Sequence, residues 1–241
     1  MRLKKIKPLR NRMALRHLPN KKLLITTINA HSYNVSRKDA GFARALQKSD
    51  VLIADGASVV WSIQMLQKRK VQRIAGADLF RFEMKRLQNI GGVSFFLGSS
   101  ESTLDKIRER AAKEYPNVRI ETYSPPYKPD FSDDDNREMI EAINAVKPDV
   151  LFIGMTAPKQ EKWALKHMEY LDVKHIGCIG AVFDFYAGNK NRAPKWMQNA
   201  GLEWLHRFSS EPGRLWKRYL VGNALFVSHL VGETLSHDKD E

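Results

Sequence analysis

Short apolar runs rich in β-branched and aromatic residues recur along the chain at Leu23–Ile28, Val51–Ala54, Val93–Leu97, Val118–Tyr123, Val150–Ile153 and His175–Ile179. Most are continuously apolar rather than alternating, which is how strands buried on both faces read. Amphipathic segments lie between them, near Lys38–Gln47, Val59–Gln67, Asp78–Leu87, Ser102–Lys113, Asp133–Val146 and Pro158–Met168, and these predict helices. Strand and helix in alternation predict an α/β fold: a mostly parallel sheet flanked by helices. In such sheets ligands bind beyond the carboxyl ends of the strands, so the loops after each run are where chemistry is to be sought.

The pattern changes after about Arg192. Strand signals stop, and aromatic and basic residues interleave: Trp196, Trp204, Arg207, Phe208, Arg214 and Trp216. The apolar stretch Leu220–Leu235 follows, loosened by Gly222 and Gly232. This divides the chain into a basic arm (1–22), an α/β core (23–191) and a helical, basic and aromatic appendage (192–241). The arm has no apolar centre, so it is not a secretory signal, and Pro8 and Pro19 interrupt any long helix there. It reads as mobile, or as an arm resting on anionic lipid, where each Lys or Arg contributes about 1 kcal/mol.

A formal net charge of +13 over 241 residues calls for an anionic partner: nucleic acid, an anionic membrane surface or a phosphorylated substrate. The single cysteine, Cys178, excludes an internal disulfide and a cysteine-based zinc cluster, and its apolar setting points to packing. No run approaches the ~18 to 20 apolar residues of a membrane span.

Thr27 and Asn29 end the first strand and suit either a ligand or an ordinary strand exit. The second strand ends at Asp55-Gly56 before a helix. That carboxylate reads equally as a helix N-cap or as a general base facing a cleft. In VQRIAGADLF, Arg73 and Asp78 are either a surface ion pair or a diphosphate-binding element built on the planar guanidinium. Gly98, Ser99 and Ser100 open a helix and offer backbone N–H groups to an anion, or form a plain capping turn. Pro158 marks a helix start. It sets Gln160 and Glu161 in a first turn facing the cleft, although Glu161 also suits the helix dipole. Asp184, between Phe183 and Phe185, is an acid in an apolar setting and needs a partner or a role. Gly177 and Gly180 lack the full GxGxxG dinucleotide fingerprint. The run SDDDN at 132–136 has an Asp-x-Asp spacing, but acids opening a helix need no metal, and the scattered histidines give no zinc-ligand pair.

Taken in order, DG after the second strand, RIAGADL, GMTAPKQEKW, GAVFDFYAGNKNRAPKW and GLEWLHRFSSEPGRLWKRYL resemble the WecG/TagA/CpsF family of bacterial glycosyltransferases. The likeness runs from about Leu24 to Tyr219. It implies a Rossmann-like core with a C-terminal helical appendage. It also implies inverting, metal-independent transfer of a hexose or N-acetylhexosamine, of N-acetylmannosamine type or glucose, from a UDP-sugar to a polyprenyl-diphosphate-linked sugar, in teichoic acid-like or exopolysaccharide synthesis. No cofactor beyond the UDP-sugar is implied. By position Asp55 resembles the base, Arg73 the arginine near the diphosphate and Gln160 a substrate-positioning glutamine. Thr27, Asn29, Gly56, Asp78, Gly98 and Gly154 match the donor and acceptor pocket, as do Glu161, Gly180, Asp184 and Arg192. Arg207, Arg214 and Arg218 match a basic surface closing over the site at the membrane. Where family members often carry Pro-Glu, this chain has Ala30-His31, a difference that bears on which donor or acceptor is used. The implied setting is cytoplasmic, peripheral on the inner face of the plasma membrane, with no nucleic acid partner and with room for a homo-oligomer. Two alternatives stand beside it: a basic α/β nucleic-acid-binding module, and an enzyme that modifies the nucleotide sugar itself.

Overall fold

The structure, a computed structural model, describes residues 1–235 and every side chain among them except those of Asn199 and Arg214. Six strands, β1 (Leu23–Ile28), β2 (Val51–Ala54), β3 (Val93–Leu97), β4 (Arg119–Tyr123), β5 (Val150–Ile153) and β6 (His175–Cys178), form one sheet in the order β2-β1-β6-β5-β3-β4. Every pairing is parallel; Ile25 is in register with Val51 on one side and Gly177 on the other. The helices of the core are α1 (Ala30–Ser36), α2 (Ala40–Lys48), α3 (Ala57–Gln67), α4 (Gly76–Ile90), α5 (Glu101–Glu114), α6 (Asp133–Val146), α7 (Lys159–His167) and α8 (Val182–Tyr186). The expected fold, a parallel α/β sheet with Rossmann-like layering, is the one observed.

The continuous apolar runs have a simple cause. Successive strand residues point to opposite faces, and both faces are covered. Ile25, Phe96 and Phe152 pack under α4, α5 and α8, whereas their neighbours Leu24, Phe95 and Leu151 pack under α6 and α7. Burying each such side chain contributes about 1.5–3 kcal/mol. The edge strand β4 departs furthest from full burial, with no buried residue. Two short helices, α1 and α8, escape the periodicity reading because a 5- to 7-residue helix spans too few turns to show a stripe.

The basic arm is not loose. Leu3 and Leu15 are buried in two short 3-10 turns, Leu3–Lys5 and Arg12–His17. Gln67 donates to the Leu3 and Ile6 carbonyls at 2.7 and 2.9 Å, and Leu9 N donates to Leu52 O at 2.8 Å. Three apolar anchors among many lysines and arginines are too sparse to read as structure, yet they suffice once a hydrogen-bonded groove receives them.

After Arg192 come α9 (Lys195–Asn199), α10 (Glu203–Ser210), α11 (Pro212–Trp216), a π-helical turn at Lys217–Val221 and α12 (Gly222–Leu235). The glycines at 222 and 232 do not break α12. This helix returns to the core and lies against α1. Phe226 meets Tyr33 edge-on at 5.5 Å, and Asn34 Nδ2 donates to Gly222 O at 2.6 Å. Buried Glu233 accepts from Tyr33 Oη at 2.5 Å and from Leu3 N at 2.9 Å, tying both chain ends together. Among the described residues no helix is long and apolar enough to cross a membrane.

Candidate active site

A cavity of about 1250 Å³ opens at the carboxyl ends of β1, β2, β5 and β6 and is roofed by the C-terminal helices. The loops that follow the strands bring Thr27, Asn29, Asp55, Gly56, Gly154 and Gly180 to its floor. Arg73, Gln160, Glu161, Asp184 and Arg192 also line it, as do Arg207 and Arg218 from above. Thirteen buried residues, from Leu3 to Phe226, pack as one core cluster that includes side chains of α1, α2 and α3 and supports this floor.

Asp55 sits where β2 ends. The N-cap of α3 is Gly56, whose φ of 148° requires glycine, and it makes no side-chain cap. Asp55 is therefore not consumed in capping α3. Its Oδ2 accepts a long 3.4 Å bond from Gly76 N, and its Oδ1 lies 3.7 Å from Arg73 Nη2. The side chain keeps 29% of its surface exposed to the cavity. Burial raises the Asp55 carboxyl above the usual carboxylate range; Arg73 opposes that rise and Glu203 adds to it. A carboxylate moved toward neutrality is a better base than an ordinary aspartate.

Asn29, by contrast, is spent locally. Its Oδ1 accepts from Ser32 N at 3.1 Å while Ser32 Oγ accepts from Asn29 N at 2.8 Å, a capping box on α1. The same cap sets His31 against the cavity. Burial, aided by Arg218, lowers His31 to about 4, so its imidazole is neutral at physiological pH.

Arg73 does not face an empty diphosphate position. Its Nη2 meets Glu203 Oε2 at 2.5 Å, and its Nη1 donates to Gln198 O at 2.9 Å. Glu203 Oε1 in turn accepts from Arg192 Nε at 3.2 Å. Burial works to raise the Glu203 carboxyl, but Arg192 and Arg73 outweigh it and hold it below its usual range. Sequence pattern alone does not mark Glu203 as a site residue. Its signal was an acid inside an otherwise basic stretch, in GLEWLHRF. Arg207 stacks its guanidinium over the Phe185 ring at 4.8 Å.

Gln160 and Glu161 lie side by side beneath this layer, 4% and 1% exposed. Gln160 Nε2 donates to Glu161 Oε1 at 2.8 Å, and neither Gln160 Oε1 nor Glu161 Oε2 has a hydrogen-bond partner. Burial raises Glu161 to about 7, against the pull of the Gln160 amide. Glu161 is thus more than a helix-dipole residue. Pro158 is the N-cap of α7 rather than its first residue.

Two expected site residues, Asp78 and Gly98, stand elsewhere. Asp78 caps α4, accepting from Ala75 N at 2.9 Å, and pairs with Arg81 at 2.6 Å and Arg12 at 3.2 Å. It does not line the cavity, because the first turn of α4 claims it. Gly98 packs on Gly154, where a Cβ would fall 3.0 Å from backbone atoms; its neighbour Ser99 reaches the cavity instead. Arg214 belongs to α11, and its side chain lies outside the described residues. In SDDDN, Asp135 completes a capping box with Ser132 and pairs with Lys128. Among the described residues no three His, Cys, Asp or Glu side chains gather as a metal site. Cys178 is buried and free.

The model for the Glycosyl transferase WecG/TagA/CpsF family matches residues 5–240. A Bacillus subtilis protein is 31% identical over 199 residues, covering 82% of this chain and 75% of the relative. A Bacillus spizizenii protein is 29% identical, covering 91% and 81%. A Staphylococcus aureus protein is 26% identical, covering 81% and 74%. All three are named N-acetylglucosaminyldiphosphoundecaprenol N-acetyl-beta-D-mannosaminyltransferase.

Proposed function

Because the chain belongs to the WecG/TagA/CpsF glycosyltransferase family, and is itself a glycosyltransferase, we propose that it moves an N-acetylmannosamine-type sugar from a UDP-sugar to a polyprenyl-diphosphate-linked N-acetylglucosamine. The observation that carries this reading is Asp55, a carboxylate at the end of β2 that faces the cavity, is not used to cap α3 and has arginines about it. The relatives' names supply the sugar and the acceptor. Neither alternative reading, a nucleic-acid-binding module or an enzyme that modifies the donor, is favoured by them.

In this reading Asp55 takes the proton of the acceptor hydroxyl as its oxygen attacks the anomeric carbon. The bond to the diphosphate breaks on the opposite face, and UDP leaves. An α-linked donor then yields the β product that the relatives' names specify. General base help of this kind contributes about 10²- to 10⁴-fold. The leaving diphosphate takes its stabilisation from the cations on the cavity wall, Arg207 and Arg218, rather than from a metal ion. Gln160 steers a substrate group, and Thr27 lines the same floor.

The enzyme works at a membrane surface in this reading, on the cytoplasmic side where nucleotide sugars are made. Trp196, Trp204 and Trp216 are 65%, 38% and 44% exposed, which suits rings lying at the headgroup level. A net charge of +13 supports contact with anionic lipid. Transfer assayed with a UDP-sugar panel and a lipid-linked N-acetylglucosamine diphosphate, with the product anomer read by NMR, tests the reaction. A retained anomeric configuration would exclude single displacement by Asp55.

A further inference from the structure

One arm of the cavity has no use in the chemistry just described. Helix α3 begins beside Asp55 and runs away from it. Ala57, Ser58, Trp61 and Met65, at helical spacing, line the cavity along this path. Eight residues of helix carry the wall about 12 Å from the reacting carboxylate. The opposite face of α3, with Val59 and Ile63, is buried in the core, so packing does not account for the outward one. Across the gap α12 presents Phe226, Val227 and Leu230, also at helical spacing.

The wall is apolar and open. Trp61 is 73% exposed, Met65 56% and Val227 55%. Ser62 gives its hydroxyl proton to Ser58 O at 2.8 Å, which leaves Ser58 and Asn223 as the polar side chains that these two helices turn to the cavity. An apolar recess continuous with a catalytic cavity marks a binding site for an apolar ligand group.

We infer that the groove between α3 and α12 holds the first part of the acceptor's isoprenoid chain. This rests on the lipid-linked acceptor proposed above. The groups that share the cavity support it. Asp55, the arginines Arg207 and Arg218, and the apolar residues Trp61, Met65 and Val227 line one continuous space, and the rise of α3 carries Met65 about 12 Å beyond its first residue. A polyprenyl-diphosphate-linked sugar needs all three kinds of wall: a base for its hydroxyl, cations for its diphosphate and an apolar surface for its chain. A flat membrane contact needs no recess leading to the base, whereas an acceptor whose chain must leave the site does.

Two measurements on the full chain test this. In the first, farnesyl diphosphate bearing a diazirine on its chain is photolysed with the wild-type protein, and labelled peptides are mapped. Labelling on α3 and α12, displaced by a long-chain polyprenyl phosphate and not by UDP, is the expected result. Labelling confined to other surfaces would overturn the inference. In the second, acceptors with one sugar-diphosphate head and either a short or a long isoprenoid chain are compared. Trp61→Ser and, separately, Val227→Ser should lower the long-to-short ratio of kcat/KM by about tenfold. An unchanged ratio with a raised donor KM would make Trp61 a nucleobase platform, and an unchanged ratio with lost self-association would make this face a contact with a second copy; either overturns the inference. If no acceptor is turned over but α3 and α12 are still labelled, the proposed reaction fails and the groove stands.

Discussion

Glu203 Oε2 lies 2.5 Å from Arg73 Nη2, so a carboxylate from the C-terminal helices grips the arginine that stands 3.7 Å from Asp55. The roof of the cavity therefore reaches into the electrostatics of its floor. Glu203 draws Arg73 toward itself and away from Asp55, and its own negative charge adds to the rise in the Asp55 carboxyl.

Replacing Glu203 with Gln should accordingly lower the Asp55 pKa, both by removing a nearby negative charge and by releasing Arg73 toward Asp55. A base must be ionised to act, so activity rises with pH through its pKa. The acid limb of the kcat/KM profile should move to lower pH in Glu203→Gln, with a lower plateau from the weaker base. An acid limb at the wild-type position would show that Glu203 does not tune Asp55.

Asp55→Asn keeps the shape of the side chain and removes the proton acceptor. Turnover should fall at least ~10²-fold while UDP-sugar binding, followed by calorimetry, stays near the wild-type value. Near-normal turnover would remove Asp55 as the base.

Glu161 gives a stability prediction with a defined sign. Burial raises its pKa from 4.5 to about 7, so between these values the folded protein holds a proton that the unfolded chain has released. Stability contributed by this group is then lost as pH rises through that window and is flat above it. At about 1.4 kcal/mol per unit the loss is roughly 3 kcal/mol. Glu161→Gln retains a carbonyl acceptor for the Gln160 amide and should be more stable than wild type at pH 8 but not at pH 4. Denaturant melts at the two pH values check this; parallel pH dependence in both proteins would contradict it.

The sequence read the strands well because each is a short apolar run set off by turn residues, and five of the six start where expected. Asp55 stood out for its place after a strand, but its freedom from capping did not: the N-cap position differs from its neighbour by one residue, and only the backbone shows that Gly56 takes it. Asp78 misled for the opposite reason. In RIAGADL it sits near Arg73, yet three residues into a helix it bonds back to Ala75 N. Glu203 and the docked arm escaped notice because each depends on contacts more than a hundred residues away in the chain, such as Glu203 with Arg73 and Leu3 with Glu233.

Those long-range contacts also change what a truncation should do. A chain ending at Arg192 would lose Phe226 and Glu233, which cover Tyr33 and bind the backbone of Leu3. Tyr33 and Leu3 are fully buried in the whole chain, and exposing two such side chains costs about 3 kcal/mol or more. The truncated protein should therefore melt several degrees lower as well as lose activity. An unchanged Tm would mean that α12 does not stabilise the core.

The most direct test of the account is UDP release with a panel of UDP-sugars, EDTA present, and a synthetic polyprenyl-diphosphate N-acetylglucosamine acceptor. The account predicts acceptor-dependent release with an N-acetylmannosamine donor, undiminished by EDTA and abolished in Asp55→Asn. Release that needs no acceptor, or that EDTA abolishes and a divalent cation restores, would contradict it.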